Sequence, residues 1–299
     1  MKTLKEACET GEFILTAELL PPKGSDISPF QERAKRLLGK VHAVNVTDNP
    51  GAVMRAGALA MSKVLLDLGH DPIYQMTARD RNRLAIQSDL LGAHILGVRN
   101  VLCLRGDDVT VGDQKESRPV FDLDSVQMLR VVTGLNQGKD MAGNLLNGTT
   151  SFFPGGAVAP EGAPLDSVLA NFSEKAAAGA KFFQTQGVFH PEPFERFIER
   201  ARKWDVKIIA GVILLRSAKR ARFMAENIPG VRPPERLIRA LERAGEEGVP
   251  EVGLEFVLQT LSAIRKLCDG AHIMAIGAED QIPVILEKAG LASAGRSHG

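Results

Sequence analysis

Cysteine is scarce in this sequence, and its placement suits neither a disulfide framework nor a metal site. The chain has 299 residues and three cysteines, Cys8, Cys103 and Cys268, which lie far apart. An odd number of widely separated cysteines is typical of reduced thiols in a cytoplasmic protein. The six histidines form no paired ligand motif, so we expect no protein-bound metal.

Aromatic residues, charge of one sign and long apolar runs are scarce as well. The formal net charge is only +1, and the chain holds one Trp and one Tyr. A protein of this composition has no excess of basic residues to attract nucleic acid and few Trp or Tyr side chains on which bases could stack. The longest apolar runs are too short to cross a bilayer, and the N-terminus leads into no signal-type apolar core. We therefore expect a protein that binds neither nucleic acid nor a membrane.

The most informative stretch that is present contains a strand, a helix and a second strand. Two short apolar runs, Pro72–Met76 and Asn100–Leu104, flank the helix-patterned segment Asn82–Leu96. This order predicts a βαβ unit, which requires a parallel sheet buried on both faces. Polar residues follow each strand directly, at the carboxyl ends where ligand sites gather in parallel sheets.

The same alternation recurs along the chain and gives a count of eight units. The predicted strands are Phe13–Leu19, His42–Thr47, Pro72–Met76, Asn100–Leu104, Gly155–Ala159, Lys181–Thr185, Val206–Gly211 and Ala271–Ile276. The predicted helices after them are Pro29–Leu38, Met54–Leu68, Asn82–Leu96, Asp124–Leu135, Leu165–Ala178, Pro193–Lys203, Ala218–Asn227 and Asp280–Ala289. Eight such units in a chain of this length predict a closed (β/α)8 TIM barrel of the α/β class.

Two further helices, Pro234–Arg243 and Val252–Leu267, form a predicted insertion before the last strand. The competing fold is a doubly wound open sheet, which needs fewer strands and usually a glycine-rich turn after the first one. No G-x-G-x-x-G spacing follows Phe13–Leu19. We expect one domain over residues 1–299, with a disordered tail at about 292–299.

Glu18, at the end of the first predicted strand, is the first candidate for chemistry. Leu19, Leu20 and a Pro-Pro pair follow it, and an apolar barrel mouth favours the protonated form of a carboxyl group. A carboxyl group that keeps its proton near neutral pH suits a general acid. The alternative is an ordinary surface ion pair at the strand end.

The turn from Arg105 to Asp108 is the second candidate. Gly106 allows close approach of a flat ligand, Arg105 can bind a phosphate or carbonyl, and Asp107 can accept hydrogen bonds from a heterocycle. The alternative is a turn with a helix-capping Asp. For Asp80, after the preceding strand, we favour the role of N-cap of the following helix.

Three more polar residues could serve a ligand at the barrel mouth. Gln186 ends the sixth strand and offers the donor and acceptor that an amide-like ring edge, such as a pterin, requires. Asn171 and Lys175 lie four residues apart on one helix face and could reach a phosphate or ribose. Alternatively, Gln186 faces outward or only pairs strands, and Asn171 and Lys175 are solvated surface.

Blocks along nearly the whole predicted barrel resemble the methylenetetrahydrofolate reductase family. They are Glu18-x-x-Pro21-Pro22-Lys23-Gly24, Asn45-Val-Thr47-Asp48, Gln75-Met-Thr77-Ala-Arg79-Asp80-Arg81-Asn82, Gln87-Ser-Asp89-Leu-Leu-Gly92-Ala93 and Leu104-Arg105-Gly106-Asp107. Further blocks are Lys175 with Ala178-Gly179-Ala180, Phe183-Gln184-Thr185-Gln186, Ala210-Gly211 and His272-Ile-Met-Ala-Ile-Gly277. Each block alone is weak, whereas all of them in order are specific.

The resemblance implies a cytoplasmic flavoprotein of one-carbon metabolism and methionine biosynthesis. Such an enzyme reduces 5,10-methylenetetrahydrofolate to 5-methyltetrahydrofolate by hydride transfer from the flavin. By the same resemblance Glu18 is the proton donor, Asp107 lies near the flavin and the pterin, and Gln186 binds the folate. The implied flavin contacts are Thr47, Asp48, Gln75, Arg105, Gly106, Asp107, Phe121, Asn171 and Lys175.

The resemblance leaves the cofactor and the electron donor open. Asn171 and Lys175 favour FAD, with FMN as the alternative, because they would serve its pyrophosphate and adenosine end. The chain departs from the family pattern at mouth positions such as His190, Leu214 and Ala278, which favours an electron-relaying partner subunit over direct use of NAD(P)H. The alternative function is therefore a flavin- and folate-binding subunit of a larger redox complex. A flavin-free barrel that takes hydride from nicotinamide is a third hypothesis, and a homo- or hetero-oligomer is compatible with each.

Overall fold

Eight parallel strands form a closed barrel in the computed structural model, which describes residues 1–228 and 230–292. The strands are β1 (Ile14–Leu19), β2 (Ala43–Val46), β3 (Pro72–Thr77), β4 (Asn100–Leu104), β5 (Phe153–Val158), β6 (Phe182–Gly187), β7 (Lys207–Ile213) and β8 (Gly270–Met274). Each strand pairs with its sequence neighbours, and β8 pairs with β1 to close the barrel. The predicted (β/α)8 barrel is confirmed. Of the predicted tail, all but Ala292 lies outside the described residues.

Eleven α-helices lie in the described part of the chain. They are α1 (Leu4–Thr10), α2 (Ser28–Leu37), α3 (Ala58–Asp67), α4 (Arg83–Ile95), α5 (Ser125–Asn136), α6 (Leu165–Ala177), α7 (Pro191–Ala201), α8 (Ala218–Asn227), α9 (Glu235–Arg243), α10 (Gly245–Ile264) and α11 (Ile282–Lys288). The predicted insertion is present as α9 and α10. No helix among the described residues is long and apolar enough to cross a membrane.

Two helices differ from the sequence prediction. The insertion helix α10 begins seven residues before the predicted start at Val252 and includes Pro250 near its beginning. Proline removes only one backbone donor there, so the helix tolerates it although the pattern suggests a break. The sequence reading also missed α1, whose signal is a capping box in which Thr3 and Glu6 bind each other's backbone N–H groups.

The barrel interior is layered from an apolar end to a polar end. Leu4 and Ala7 of α1 pack with Ile14, Ile73 and Phe182 at the amino ends of the strands, so α1 closes that end. Polar side chains from β1, β2, β6 and β8 form the next layer, and all of them are buried. Inside the barrel, this apolar cluster fills the end at which the strands begin. The polar groups lie toward the rim at the carboxyl ends of the strands.

Gly155 of β5 makes room for the largest side chain in this apolar layer. A Cβ atom at Gly155 would overlap the ring of Phe182, which also stacks on Phe153. Only glycine lets the β5 backbone approach an aromatic ring this closely.

Asp71, in the loop before β3, joins α1 to the barrel. Its carboxylate accepts hydrogen bonds of 2.8 Å from the Leu4 backbone N–H and from Asn100 Nδ2. Burial raises the pKa of this carboxyl from 3.8 to about 6, although both donors oppose the shift. The folded protein thus holds a proton on Asp71 at pH values where the unfolded chain has released it.

This raised pKa predicts a pH-dependent contribution to stability. The contribution is fully present below the unfolded value of ~3.9 and is lost as the pH rises through the folded value. The free energy of unfolding of the parent, relative to Asp71→Asn, should fall by on the order of 1–3 kcal/mol between about pH 4 and 7. Urea titrations across this range measure it, with the exposed Asp205→Asn as control. A constant difference between parent and variant would contradict the prediction.

Candidate active site

A cavity of about 340 Å³ opens at the carboxyl ends of the strands. Nine of the eleven site residues predicted from the sequence line it, and they come from β1, β3, β6, α6 and the loops after β2 and β4. These nine residues are Glu18, Thr47, Asp48, Gln75, Arg105, Gly106, Asp107, Lys175 and Gln186. The other two, Phe121 and Asn171, lie beside it, as described below. We refer to this cavity as the rim cavity.

Glu18 lies on the wall of the rim cavity, near the end of β1, with its side chain 25% exposed. Gln75 Nε2 of β3 donates to Glu18 Oε2 at 3.4 Å, and His272 Nε2 of β8 lies 3.7 Å from the same oxygen. The position matches neither a fully exposed surface ion pair nor a sealed core carboxylate. Side chains from β3 and β8 thus hold Glu18, which still reaches the cavity.

The turn after β4 places two predicted site residues in mutual contact. The Arg105 guanidinium lies 4.3 Å from the centre of the Phe121 ring. Phe121 has a φ of 43°, in the left-handed region that a bulky residue seldom adopts. Such backbone strain concentrates at functional sites. Asp107 Oδ2 accepts the Gly51 N–H at 2.8 Å, which ties this turn to the loop after β2.

Gly106 in the same turn has a φ of 90°. A Cβ atom there would lie 2.9 Å from Arg79 Cβ, so a side chain would both strain the backbone and collide with the neighbouring loop. Glycine therefore allows the turn between Arg105 and Asp107 to pack closely against the loop that contains Arg79.

Asp48 is buried in the cavity wall and is already engaged by protein groups. It accepts the Thr77 N–H and hydroxyl at 2.9 Å, and Arg81 Nη1 donates to it at 2.6 Å. Asp48 raises the pKa of the Arg81 guanidinium against the opposing effect of burial. These contacts connect the loop after β2 with the end of β3 and with the loop after β3. Next to Asp48, the hydroxyl of Thr47 is buried with no protein partner.

Lys175 of α6 is buried, with 8% of its surface exposed, which excludes the alternative of a solvated helix cation. Its ammonium donates to the Ala157 carbonyl at 2.8 Å, and burial lowers its pKa. Lys175, Ala157 and Gln186 also line a second cavity of about 280 Å³, together with Asn171. A buried cation thus stands between two adjoining cavities, and Asn171 is exposed beside the outer one.

Gln186 owes its position to an irregularity in the sheet. Between two paired positions the chain advances three residues in β6, from Gln184 to Gly187, but only two in β7, from Ile209 to Gly211. The Gly211 N–H donates to the Thr185 hydroxyl, which replaces the regular backbone contact. Bulges of this kind re-aim side chains near sites. The sequence identified Gln186 but contains no clear signal for the bulge.

The predicted N-cap role of Asp80 is wrong. Asn82 caps α4 by accepting the N–H groups of Leu84 and Ala85, whereas Asp80 forms an ion pair of 2.6 Å with Arg79. Arg79 also donates to the Asn49 carbonyl, at 3.2 Å. The Asp80 carboxylate therefore neutralises a buried guanidinium instead of meeting the helix end. Both residue types are good N-caps, so the spacing alone could not separate them.

Sequence reasoning gave no role to the polar layer beneath the rim cavity. Thr16, Asn45, Gln184 and His272 are all buried and hydrogen-bonded to one another. The sequence did contain a signal, since each of these polar residues lies within an otherwise apolar strand. Buried polar groups need hydrogen-bond partners, so such residues are expected to contact one another inside a barrel.

The fold and the rim cavity define a (β/α)8-barrel protein with a ligand site at the carboxyl ends of its strands. A family model for methylenetetrahydrofolate reductase matches residues 3–290. The chain belongs to the methylenetetrahydrofolate reductase family, and the resemblance noted in the sequence is confirmed.

Two curated relatives that the chain matches are distant in sequence and longer than this chain. It is 25% identical over 293 residues to a probable methylenetetrahydrofolate reductase (NADPH) of Caenorhabditis elegans, covering 92% of this chain and 42% of that protein. It is 25% identical over 295 residues to methylenetetrahydrofolate reductase 1 of Schizosaccharomyces pombe, covering 92% and 45%. The chain thus spans less than half the length of these curated relatives.

Solved structures support the fold. An uncharacterised Clostridium thermocellum protein that binds two copies of 5-methyl-5,6,7,8-tetrahydrofolic acid has a TM-score of 0.65 at 16% identity, covering 96% of this chain and 95% of that one. A 2,3-dimethylmalate lyase has a TM-score of 0.52 at 10% identity, covering 99% and 90%. At these identities the likeness is one of fold alone.

The buried ammonium of Lys175 predicts a second pH effect on stability. Burial lowers its pKa, so the charged form destabilises the folded state at neutral pH and less so as the pH rises. The stability of Lys175→Met relative to the parent should therefore decrease between pH 7 and 10, as measured by urea titration. The exposed Lys219→Met is the matched control and should show no such trend. A pH-independent difference for Lys175→Met would contradict the assignment of a desolvated cation.

Proposed function

We propose that the protein reduces 5,10-methylenetetrahydrofolate to 5-methyltetrahydrofolate with a bound flavin, and that Glu18 donates the proton. The observation that carries this proposal is the convergence of Glu18, Arg105, Asp107, Lys175 and Gln186 on one cavity. Family membership supports the reaction class. The Clostridium thermocellum neighbour, which binds a folate with the structure of the product, supports the folate class of ligand.

The residues of the rim cavity fit a flavin nucleotide. The partnerless Thr47 hydroxyl is a buried polar group that a ligand can satisfy. Arg105 and Phe121 would bind beside the ring system, and Lys175 offers a cation for phosphate. The second cavity, with Asn171, gives room for a nucleotide beyond one phosphate and favours FAD over FMN. When bound, the reduced flavin supplies the hydride.

Glu18 can transfer a proton to a folate nitrogen. Opening the methylene bridge breaks its bond to nitrogen, and a proton delivered to that nitrogen makes it a better leaving group. Glu18 borders the cavity, and Gln75 holds one of its oxygens. Gln186 offers a donor and an acceptor to the pterin edge, and Asp107 adds a negative charge that favours a cationic form of the folate.

Replacing Glu18 tests the proton donor. In Glu18→Gln the folate half-reaction should slow by about 10²–10⁴-fold, because the amide cannot donate a proton as an acid does. Flavin content should stay unchanged, measured from the absorption spectrum and from the chromophore released on denaturation. Glu12→Gln, a carboxylate just before β1 at the other end of the barrel, should keep parental turnover. Normal turnover of Glu18→Gln would remove this residue from the mechanism.

Replacing Asp107 tests its electrostatic role. Removing a negative charge near the flavin makes the anionic reduced form easier to reach, so Asp107→Asn should raise the flavin reduction potential and slow folate turnover. Asparagine can still accept the Gly51 N–H. Asp108→Asn is a matched control, because its carboxylate instead binds Thr110. Potentials that are equal in the parent and Asp107→Asn would place Asp107 away from the ring system.

One observation favours an electron-relaying partner subunit, rather than NAD(P)H, as the donor of electrons to the flavin. Leu214 and Ala278, after β7 and β8, are both buried and offer no exposed ring on which a nicotinamide could stack. In that case the chain alone would carry out only the folate half-reaction. Rapid reduction of the isolated flavoprotein by NADH would exclude this second candidate.

A further inference from the structure

A chain of buried hydrogen bonds leads across the barrel to Glu18. Asn45 Nδ2 donates to Gln184 Oε1 at 2.6 Å, and Gln184 Nε2 donates back to Asn45 Oδ1 at 2.9 Å. Gln184 Nε2 also donates to the Thr16 hydroxyl oxygen at 3.1 Å. That hydroxyl lies 2.9 Å from His272 Nδ1, and the other ring nitrogen of His272 faces Glu18.

The direction of this chain favours one tautomer of His272. The Thr16 oxygen accepts a hydrogen bond from Gln184 Nε2, so its own hydroxyl proton is available to His272 Nδ1, the other group within hydrogen-bond distance. Nδ1 is then the acceptor, and a neutral imidazole carries its proton on Nε2. The Nε2–H group is the one that faces Glu18 Oε2.

Two donors thus converge on one oxygen of Glu18. Gln75 Nε2 lies 3.4 Å from Oε2 and His272 Nε2 lies 3.7 Å from it. Among the residues that the structure describes, no protein group donates to Oε1. Donors stabilise the unprotonated oxygen of a carboxyl group, so Oε1 is the oxygen left free to carry the proton that Glu18 donates in the proposed reaction.

We propose that His272 is a positioning residue: as a neutral imidazole with its proton on Nε2, it holds Glu18 Oε2 together with Gln75 and leaves Oε1 to deliver the proton. The proposal rests on the proposed function, since it deepens the role of Glu18 as proton donor. His272 touches neither folate nor flavin in this role. The 3.7 Å contact is expected to shorten to a hydrogen bond when substrate is bound.

The tautomer is tested first by a readout that needs no turnover. Nitrogen-15 NMR distinguishes the two neutral tautomers, and the His272 signals are assigned by their loss in His272→Gln. We expect protonated Nε2 in the parent and in Thr16→Ser, which keeps the hydroxyl. Thr16→Val, which removes it, should give a mixture of tautomers. A proton on Nδ1 in the parent would reverse the chain and overturn the proposal.

The positioning role is tested in the flavin-loaded protein at saturating folate. The folate half-reaction should slow about 10- to 100-fold in His272→Asn, as for other residues that orient a reacting group. The folate dissociation constant should stay within about 3-fold of the parent value, because His272 does not contact the bound folate and its loss affects only the reaction step. His272→Gln should restore part of the rate, because its amide nitrogen reaches the place of Nε2 whereas that of Asn reaches only the place of Nδ1.

Controls separate this proposal from folding defects and from the proposed function. His42, another buried histidine, accepts the Leu15 N–H through Nδ1 near the other end of the barrel. His42→Gln should change the melting temperature without slowing the half-reaction. Parental half-reaction rates in His272→Asn and Thr16→Val, with Glu18→Gln inactive, would overturn only the positioning role. A fully active Glu18→Gln would overturn the proposed proton donor, whatever the tautomer of His272.

Discussion

The site depends on the pairing of the first strand with the last. Thr16 of β1 lies opposite His272 of β8 in the closing ladder, and their side chains meet although 256 residues separate them. Without this closure, Glu18 would lose one of the two strands that hold its carboxylate. The same closure brings the carboxyl ends of all eight strands to one rim, where the rim cavity forms. The backbone hydrogen bonds between β1 and β8 thus determine where the side chains of the rim cavity lie.

The barrel interior combines an apolar seal with a polar support. Phe182 and the residues of α1 close the amino end, whereas Asn45 and Gln184 place amides in the middle of the barrel. Buried amides are costly unless their groups are paired, and these two satisfy each other reciprocally. The polar layer then specifies one arrangement of the strands and one orientation for the residues above it.

Several features of the rim cost stability, and the proposed ligand binding would account for them. Lys175 holds a desolvated ammonium, Phe121 adopts a left-handed backbone conformation, and the Thr47 hydroxyl is buried without a protein partner. A core selected only for folding would replace the buried ammonium and the unpaired hydroxyl with apolar groups and would avoid the strained backbone of Phe121. Their concentration around one cavity fits a site arranged for an anionic, flat ligand. Asp48 differs, because Thr77 and Arg81 already bind it and it stabilises the wall.

The sequence by itself determined the eight strand–helix units, the insertion, and the candidate residues near strand ends, such as Glu18 and Gln186, that line the rim cavity. Hydrophobic periodicity and ordered motifs are local signals, and local signals suffice to predict these features. Only the tertiary structure decided that Lys175 is buried, that Asn82 rather than Asp80 caps α4, and that His272 faces Glu18. These facts depend on which side chains meet after the barrel closes, because burial and hydrogen-bond partners are contributed by strands distant in sequence.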